Sequence, residues 1–251
     1  MSRSACIFIL MALLPVSVLA QDPLRIATEG AYPPFNYLNE SGELDGFDVD
    51  IAKALCQTMQ RTCTFVAVPW DGIIDGLEAH KYDVIVASMS YTPDRAKRVE
   101  FTGKYYRTTS SYLARARSGF DPAPDKLQGK TIATQRDTVH AAYLAATYKS
   151  SITLALSDTI EQSFDLLVAG KADAVLCNSL TGLGFLKSPR GKDFDYAGDP
   201  LAEMNLSSTA NIAVRKGEIQ LRDTFDKALD TIRLNGAYDR INQKYFPFSI
   251  Y

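Results

Sequence analysis

Two separated stretches of this chain are built alike, and that duplication limits the folds open to it. "RIATEG" at Arg25–Gly30 recurs as "TIATQR" at Thr131–Arg136, and "LEAHKYDVIV" over 77–86 recurs as "LVAGKADAVL" over 167–176, with Leu, Ala, Lys and Asp in register. Around them, apolar runs alternate with helical periods. The pattern predicts strands over 24–28, 63–68 and 83–87 with helices over 47–60 and 72–79. A second set follows, with strands over 130–134, 152–156 and 173–177 and helices over 138–148 and 159–169. The tail reads as a long amphipathic helix over 219–234, then Gly236 and a shorter helix ending near Tyr245. Such alternation implies βαβ units and mainly parallel sheets, here arranged as two α/β lobes on one plan. Open parallel sheets take ligands at the carboxyl ends of their strands, so two facing lobes would share one cleft. Glu29 and Gln135 then occupy equivalent strand ends, as do Ser88 and Asn178.

Residues 1–20 read as an export signal rather than as part of the fold. Arg3 forms the positive start, 7–14 the apolar core, and Val18-Leu19-Ala20 a cleavage pattern before Gln21. No later stretch approaches the roughly 20 apolar residues of a membrane span. The 251-residue chain carries 27 Lys+Arg against 29 Asp+Glu. Loss of Arg3 makes it slightly more acidic, which argues against nucleic acid or an anionic membrane as partner. Cleavage also removes Cys6 and leaves Cys56, Cys63 and Cys177. Cys56 and Cys63, one late in a helix and one entering a strand, suit a disulfide in an oxidising compartment. Cys177, in an apolar run, reads as a buried small hydrophobe.

The candidate site gathers at the strand ends. In "IATEGAYPPF" a carboxylate, Glu29, and an aromatic ring, Tyr32, share a stiff loop just beyond a strand, and Trp70 in "VAVPWDG" supplies a second ring. Flat rings beside a carboxylate suit a cationic head group, at about 0.5–2 kcal/mol per cation–π contact. In "ASMSYTPDRAKR", Ser88 and Ser90 offer hydroxyl donors, and a short helix starting at Thr92-Pro93 carries Arg95, the natural two-pronged partner of a carboxylate. Alternative readings are a surface turn around Glu29, a packing role for Trp70 and an exposed helix charge for Arg95. His80 and His140 belong to different lobes and lack ligand spacing, so no metal site is expected. No P-loop or GxGxxG stands in its required context, and no cofactor is expected. Tyr105 and Tyr106 read as packing residues.

Over essentially the whole chain after the signal, these segments resemble the periplasmic solute-binding proteins of ABC importers. The similarity is to the polar amino acid group, which includes lysine/arginine/ornithine, histidine and opine binders. "IATEGAYPPFNY", "GELDGFDVDIAKALC", "WDGIIDGL", "YDVIVASMSYTPDRAKRVEFT", "LQGKTIATQRDT", "LLVAGKADAVL" and "GAYDRINQKYF" carry it. The resemblance implies a type II-like two-lobed fold with lobe I over 22–110 and 210–251 and lobe II over 111–209. It implies a monomeric receptor, not an enzyme, that serves an inner-membrane permease, and it supports the Cys56–Cys63 bridge. It implies a side-chain pocket of Glu29, Tyr32 and Trp70 and a carboxylate clamp of Ser88, Ser90, Arg95 and Thr138. Met89, within "ASMS", matches the opine binders. Two positions depart from the pattern. Asn178 stands where an Asp usually pairs with the ligand's α-ammonium group, and Asp137, a possible helix cap, stands where a Gly commonly precedes the helix-opening Thr. An amide can accept a hydrogen bond from an amine but cannot neutralise it. The departures put an N-substituted ligand such as an opine beside a free cationic amino acid of the arginine, lysine or ornithine kind, and the expectation is a receptor for one or the other, bound by closure of the two lobes. The alternative on the same scaffold is a cyclohexadienyl dehydratase-like enzyme, with Asp137 its available carboxylate.

Overall fold

The computed structural model describes residues 22–201, 206 and 209–251, so the expected export signal lies outside the described residues. The first half of the chain runs β1 (Leu24–Thr28), β2 (Ala31–Tyr32), β3 (Asn36–Leu38), β4 (Leu44–Asp45), α1 (Phe47–Thr58), β5 (Cys63–Ala67), α2 (Ile73–Glu78), β6 (Val84–Ile85), α3 (Pro93–Arg98) and β7 (Val99–Arg107). It continues through β8 (Ser110–Arg115), β9 (Thr131–Gln135), α4 (Val139–Tyr148), β10 (Thr153–Ser157), α5 (Ile160–Val168), β11 (Ala174–Asn178) and α6 (Ser179–Lys187). The last elements are β12 (Phe194–Leu201), β13 (Thr209–Arg215), α7 (Ile219–Leu234) and α8 (Ala237–Tyr245).

The duplication seen in the sequence is a duplication of topology. One five-stranded sheet has the order β5-β1-β6-β13-β7 and the other β10-β9-β11-β8-β12, while β2, β3 and β4 form a small separate sheet. In the first, β1 runs parallel to β5 and β6, and β13 antiparallel to β6 and β7. In the second, β9 runs parallel to β10 and β11, and β8 antiparallel to β11 and β12. The expectation of mainly parallel sheets is corrected: each sheet is half parallel and half antiparallel. The antiparallel strands come from 99–115 and 194–215, where polar and apolar residues mix without a helical period and no βα alternation flags a strand. The chain passes from first sheet to second through Thr108-Thr109 and returns after Leu201. Ser110 thus pairs in the second sheet and Thr209 in the first.

Each sheet is covered on both faces. Phe47, Ile51, Leu55, Phe225, Leu229, Ile232 and Tyr238 from α1, α7 and α8 bury one face of the first sheet with Tyr105 and Tyr106. Ile73 and Leu77 of α2 cover the other with Trp70 and Met89. In the second sheet α4 packs Tyr143 and Leu144 on Ile132 and Leu176, while Phe164, Leu167 and Phe185 pack opposite with Cys177. A fully buried large apolar side chain contributes about 1.5–3 kcal/mol. Cys56 and Cys63 form a disulfide that ties the end of α1 to the start of β5, and Cys177 is a buried thiol, its pKa raised by burial.

One close approach sets the geometry of the site loop. Gly46 precedes α1 at φ 120°, and a Cβ there would lie 2.4 Å from the Phe35 carbonyl oxygen. With no side chain in the way, the loop after β2 lies directly on the helix start. Pro34 O accepts from Phe47 N at 3.1 Å and Phe35 O from Asp48 N at 2.7 Å, which satisfies helix donors that otherwise lack partners. Tyr32 and Asp48 are thereby brought to one place.

Candidate ligand cleft between the two sheets

The equivalent strand ends meet across the cleft. Gln135, ending β9, donates from Nε2 to Glu29 Oε1 beyond β1 at 2.6 Å, and also to Asp158 O at 3.1 Å. Glu29 is buried, and burial pushes its carboxyl up to about 7; the Gln135 hydrogen bond pulls it back and the charge of Asp48 adds to the rise. Trp70 Nε1 donates to Asp137 O at 3.2 Å. The Arg95 guanidinium lies 5.1 Å from the Trp70 ring centroid and donates to Ser90 O at 3.0 Å and Asp137 O at 2.8 Å. These two bonds hold the fork in place and leave N–H groups of its five for a ligand. Burial lowers the Arg95 pKa to about 10, so it stays a cation.

Two adjoining chambers occupy the cleft. The first, about 40 Å³, is lined by Glu29, Trp70, Arg95, Gln135 and Thr138 among others. The second, about 30 Å³, is lined by Thr108, Thr109, Ser110, Asn178 and Tyr106 among others. Tyr32, Ser88, Ser90, Val139 and His140 line both. A wider groove of about 1230 Å³ runs beside the chain crossings, but Arg107 is the only charged side chain among its described lining residues. Its described lining holds no acidic side chain to pair with Arg107, whereas the smaller chambers bring charges of both signs together.

Nine of the ten sequence-derived candidates thus line the chambers: Glu29, Tyr32, Trp70, Ser88, Ser90, Arg95, Gln135, Thr138 and Asn178. Met89 does not. Its side chain is fully buried in the cluster that holds Ile73, Leu77 and Trp70. Three assigned chemistries also change. The Ser88 hydroxyl donates to Asp48 Oδ2 at 2.8 Å, so it presents a lone pair to the chamber rather than a donor. The Thr138 hydroxyl donates to Gln135 O at 2.7 Å and accepts from Ala141 N at 3.2 Å as the cap of α4. Asp137, expected as a possible cap, instead takes the left-handed conformation at φ 57° and contributes its carbonyl. That conformation explains why glycine suits the position.

Two residues at the site carried no clear signal in the sequence. Asp48 is completely buried, with donors from Asn36 Nδ2 and Ser88 Oγ, each at 2.8 Å, and Tyr105 Oη at 2.7 Å. Burial nonetheless raises it to about 6. His140 is buried on α4, its Nε2 2.9 Å from Ser110 Oγ. Burial, and then the nearby Arg95 charge, lower its pKa to about 4 and keep the ring neutral. Among the described residues no group of His, Cys, Asp and Glu could hold a metal ion, and no helix is long and apolar enough to cross a membrane.

Two α/β sheets whose strand ends enclose charged and aromatic side chains define a two-lobed binding protein. The chain belongs to the bacterial extracellular solute-binding proteins, family 3, whose family model matches residues 24–248. It is 36% identical over 251 aligned positions to the L-arginine-binding protein of Pseudomonas aeruginosa, covering 96% of this chain and 97% of that one. Its fold is similar to an ancestral arginine-binding protein bound to arginine, with a TM-score of 0.84, 28% identity and coverage of 90% and 99%. It is also similar to a periplasmic His/Glu/Gln/Arg/opine family-binding protein from Silicibacter pomeroyi in complex with lysine, with a TM-score of 0.80, 32% identity and coverage of 91% and 100%.

Proposed function

We propose that this protein is an exported periplasmic receptor that captures a cationic amino acid, or an amino-acid derivative such as an opine, for an inner-membrane ABC permease. One observation carries the reading: a buried carboxylate, Glu29, and a fixed guanidinium, Arg95, line the same aromatic-walled chamber. A ligand with a cationic end and a carboxylate matches both. Glu29, Tyr32 and Trp70 receive the cation, and Arg95 with the start of α4 receives the carboxylate. Chambers this small admit such a ligand only when the lobes part, and the two chain crossings are the hinge. Contacts from both lobes favour the closed form through differential affinity, and the permease recognises that form. Arginine binding named for relatives supports the cationic class.

A thermal-shift screen of the protein against amino acids, their N-substituted derivatives and polyamines tests this, because a ligand at a hundred times its Kd stabilises by about 2.7 kcal/mol. Arginine, lysine, ornithine or their derivatives should raise the melting temperature and glutamate should not. A protein stabilised by acidic ligands alone sinks the reading. Incubation with prephenate or arogenate should yield no product; turnover would favour the dehydratase alternative.

A further inference from the structure

The second chamber carries a chemistry of its own, and Asn178 shows it. Asn178 Oδ1 accepts from Leu180 N at 2.8 Å, as the cap of α6, and from Thr108 Oγ1 at 3.2 Å. A backbone N–H can only donate, so the amide cannot be turned round. The oxygen is held by the protein, and the nitrogen, which has no hydrogen-bond partner among the described residues, is the end left for the chamber. The residue that stands where an acceptor for an ammonium group was expected therefore offers donors. His140 and Ser110 line the same chamber as a neutral pair 2.9 Å apart, and among its described lining residues there is no lysine, arginine, aspartate or glutamate.

We propose that this chamber is an acceptor-reading subsite, in which Asn178 Nδ2 and His140 hydrogen-bond a carbonyl or carboxylate oxygen carried on the ligand's amine nitrogen. The inference rests on the cationic-ligand reading above and narrows it to N-acyl or N-carboxyalkyl amino acids. The chamber's place fits: it opens from the first through Ser88, Ser90 and His140, so a substituent on an amine held near Ser88 enters it without displacing the groups at Glu29 or Arg95. Ser88, which turns its lone pair inward, suits the amine N–H itself. The two oxygen chemistries differ in what they do to His140. Among the described residues, the titratable or charged groups lining the chambers with it are Glu29, Arg95, Tyr32 and Tyr106, with Asp48 one hydrogen bond behind Ser88. A carboxylate placed against the ring favours its protonation, whereas a neutral carbonyl leaves it uncharged.

The test compares L-arginine, Nα-acetyl-L-arginine and Nα-carboxyethyl-L-arginine by calorimetry in buffers of different ionisation enthalpy. Asn178→Asp retains the cap acceptor for Leu180 N and Thr108 but removes both donors, and His140→Phe retains the ring's bulk. Melting curves confirm that each variant folds. The expected result is that at least one substituted arginine binds wild type as tightly as arginine or better. Each variant should then shift the ratio of substituted to free affinity toward arginine by about tenfold or more, equivalent to about 1.4 kcal/mol. Proton uptake with the carboxyethyl compound, absent in His140→Phe, identifies a carboxylate in the chamber. Tight acetyl binding without uptake identifies a carbonyl. Wild type that prefers arginine by tenfold over both derivatives, or variants that leave the ratio unchanged, overturn the subsite. Arginine binding with the derivatives rejected ends this inference alone; rejection of all three compounds, with lysine and ornithine also inert, ends the cationic-ligand reading with it.

Discussion

The two walls of the cleft are built on one topology, yet they differ in charge. The wall from the first sheet carries Glu29, Asp48 and Arg95, each buried or held by hydrogen bonds. The wall from the second presents Gln135, Thr138, Asn178, Ser110 and a histidine kept neutral. Among the described residues, the hydrogen bonds it gives to Arg95 and Trp70 both come from the carbonyl of Asp137. The difference assigns separate tasks to the lobes. On the proposed reading, the first sorts ligands by charge, and the second closes on them with neutral hydrogen bonds whose desolvation costs less than that of an ion. A closing wall of this kind keeps its affinity from depending on ion pairs formed at the moment of closure.

The largest expected effect falls on the charged wall. Arg95→Ala should weaken binding of any carboxylate-bearing ligand by about 2–5 kcal/mol, because it strands the carboxylate in a desolvated site. Arg95→Lys should recover only part, since an ammonium cannot hold two carbonyls and a carboxylate in one plane. Calorimetry decides it; an Arg95→Lys protein with wild-type affinity would remove the two-pronged contact.

Glu29 comes next and adds a pH dependence. Glu29→Gln should weaken a cationic ligand by about 1.5–3 kcal/mol. Because burial holds the carboxyl near 7, wild-type affinity should climb as pH rises through 7 and level off above it, with a proton released on binding below that point. The ligand-free protein behaves oppositely. A carboxyl whose folded pKa, about 7, lies above its ordinary 4.5 contributes stability that is fully present below 4.5 and lost as pH rises through 7. Glu29→Gln should therefore make the ligand-free protein more stable above pH 7, by about 1–3 kcal/mol, and change it little at pH 4. Melting curves at the two pH values check this, and equal shifts at both would show that Glu29 is not held up by burial.

The lobes also differ in covalent staples. The first has the Cys56–Cys63 disulfide, at a sequence separation of 7, and the second has only the buried thiol Cys177. Closing so short a loop restrains the unfolded chain modestly, so Cys56→Ser with Cys63→Ser should cost about 2 kcal/mol and leave affinity unchanged. Urea melts with and without ligand separate the two quantities; a loss of affinity would tie the staple to the cleft.

The sequence disclosed what depends on periodicity and on duplication. The βα alternation placed the parallel strands, and the register of "RIATEG" on "TIATQR" placed Glu29 opposite Gln135, which the structure joins by a hydrogen bond. It did not disclose what depends on a partner distant in sequence. Asp48 looks like an acid in the first turn of α1, where the helix dipole favours a solvated carboxylate. Only the fold brings Asn36, Ser88 and Tyr105 to it. His140 likewise gains its place from Ser110, 30 residues away in sequence. Residue type named Ser88, Thr138 and Asn178, but the direction of each hydrogen bond was set by neighbours that no local pattern names.

The smallest predicted effect is the sharpest check on the neutral wall. Asp137 is the one acidic side chain among the described residues of the second lobe that acts on Arg95, and its charge favours the protonated guanidinium. Yet the atom that both Arg95 and Trp70 grip is its carbonyl oxygen, which any residue supplies, and its side chain is exposed. If the wall acts through neutral groups, Asp137→Gly should change ligand affinity by less than about threefold, under 1 kcal/mol. Stability should also move little, because glycine accepts φ 57° without strain but loses more backbone entropy on folding. Asp137→Ala separates backbone from charge: it removes the same carboxylate but forces a Cβ into the left-handed region, at about 1–2 kcal/mol. An alanine protein less stable than the glycine protein, with equal affinities, would show that the position matters through its backbone. A change of tenfold or more in both variants, reduced by added salt, would mean that the second wall carries a working charge and that the division between the lobes is wrong.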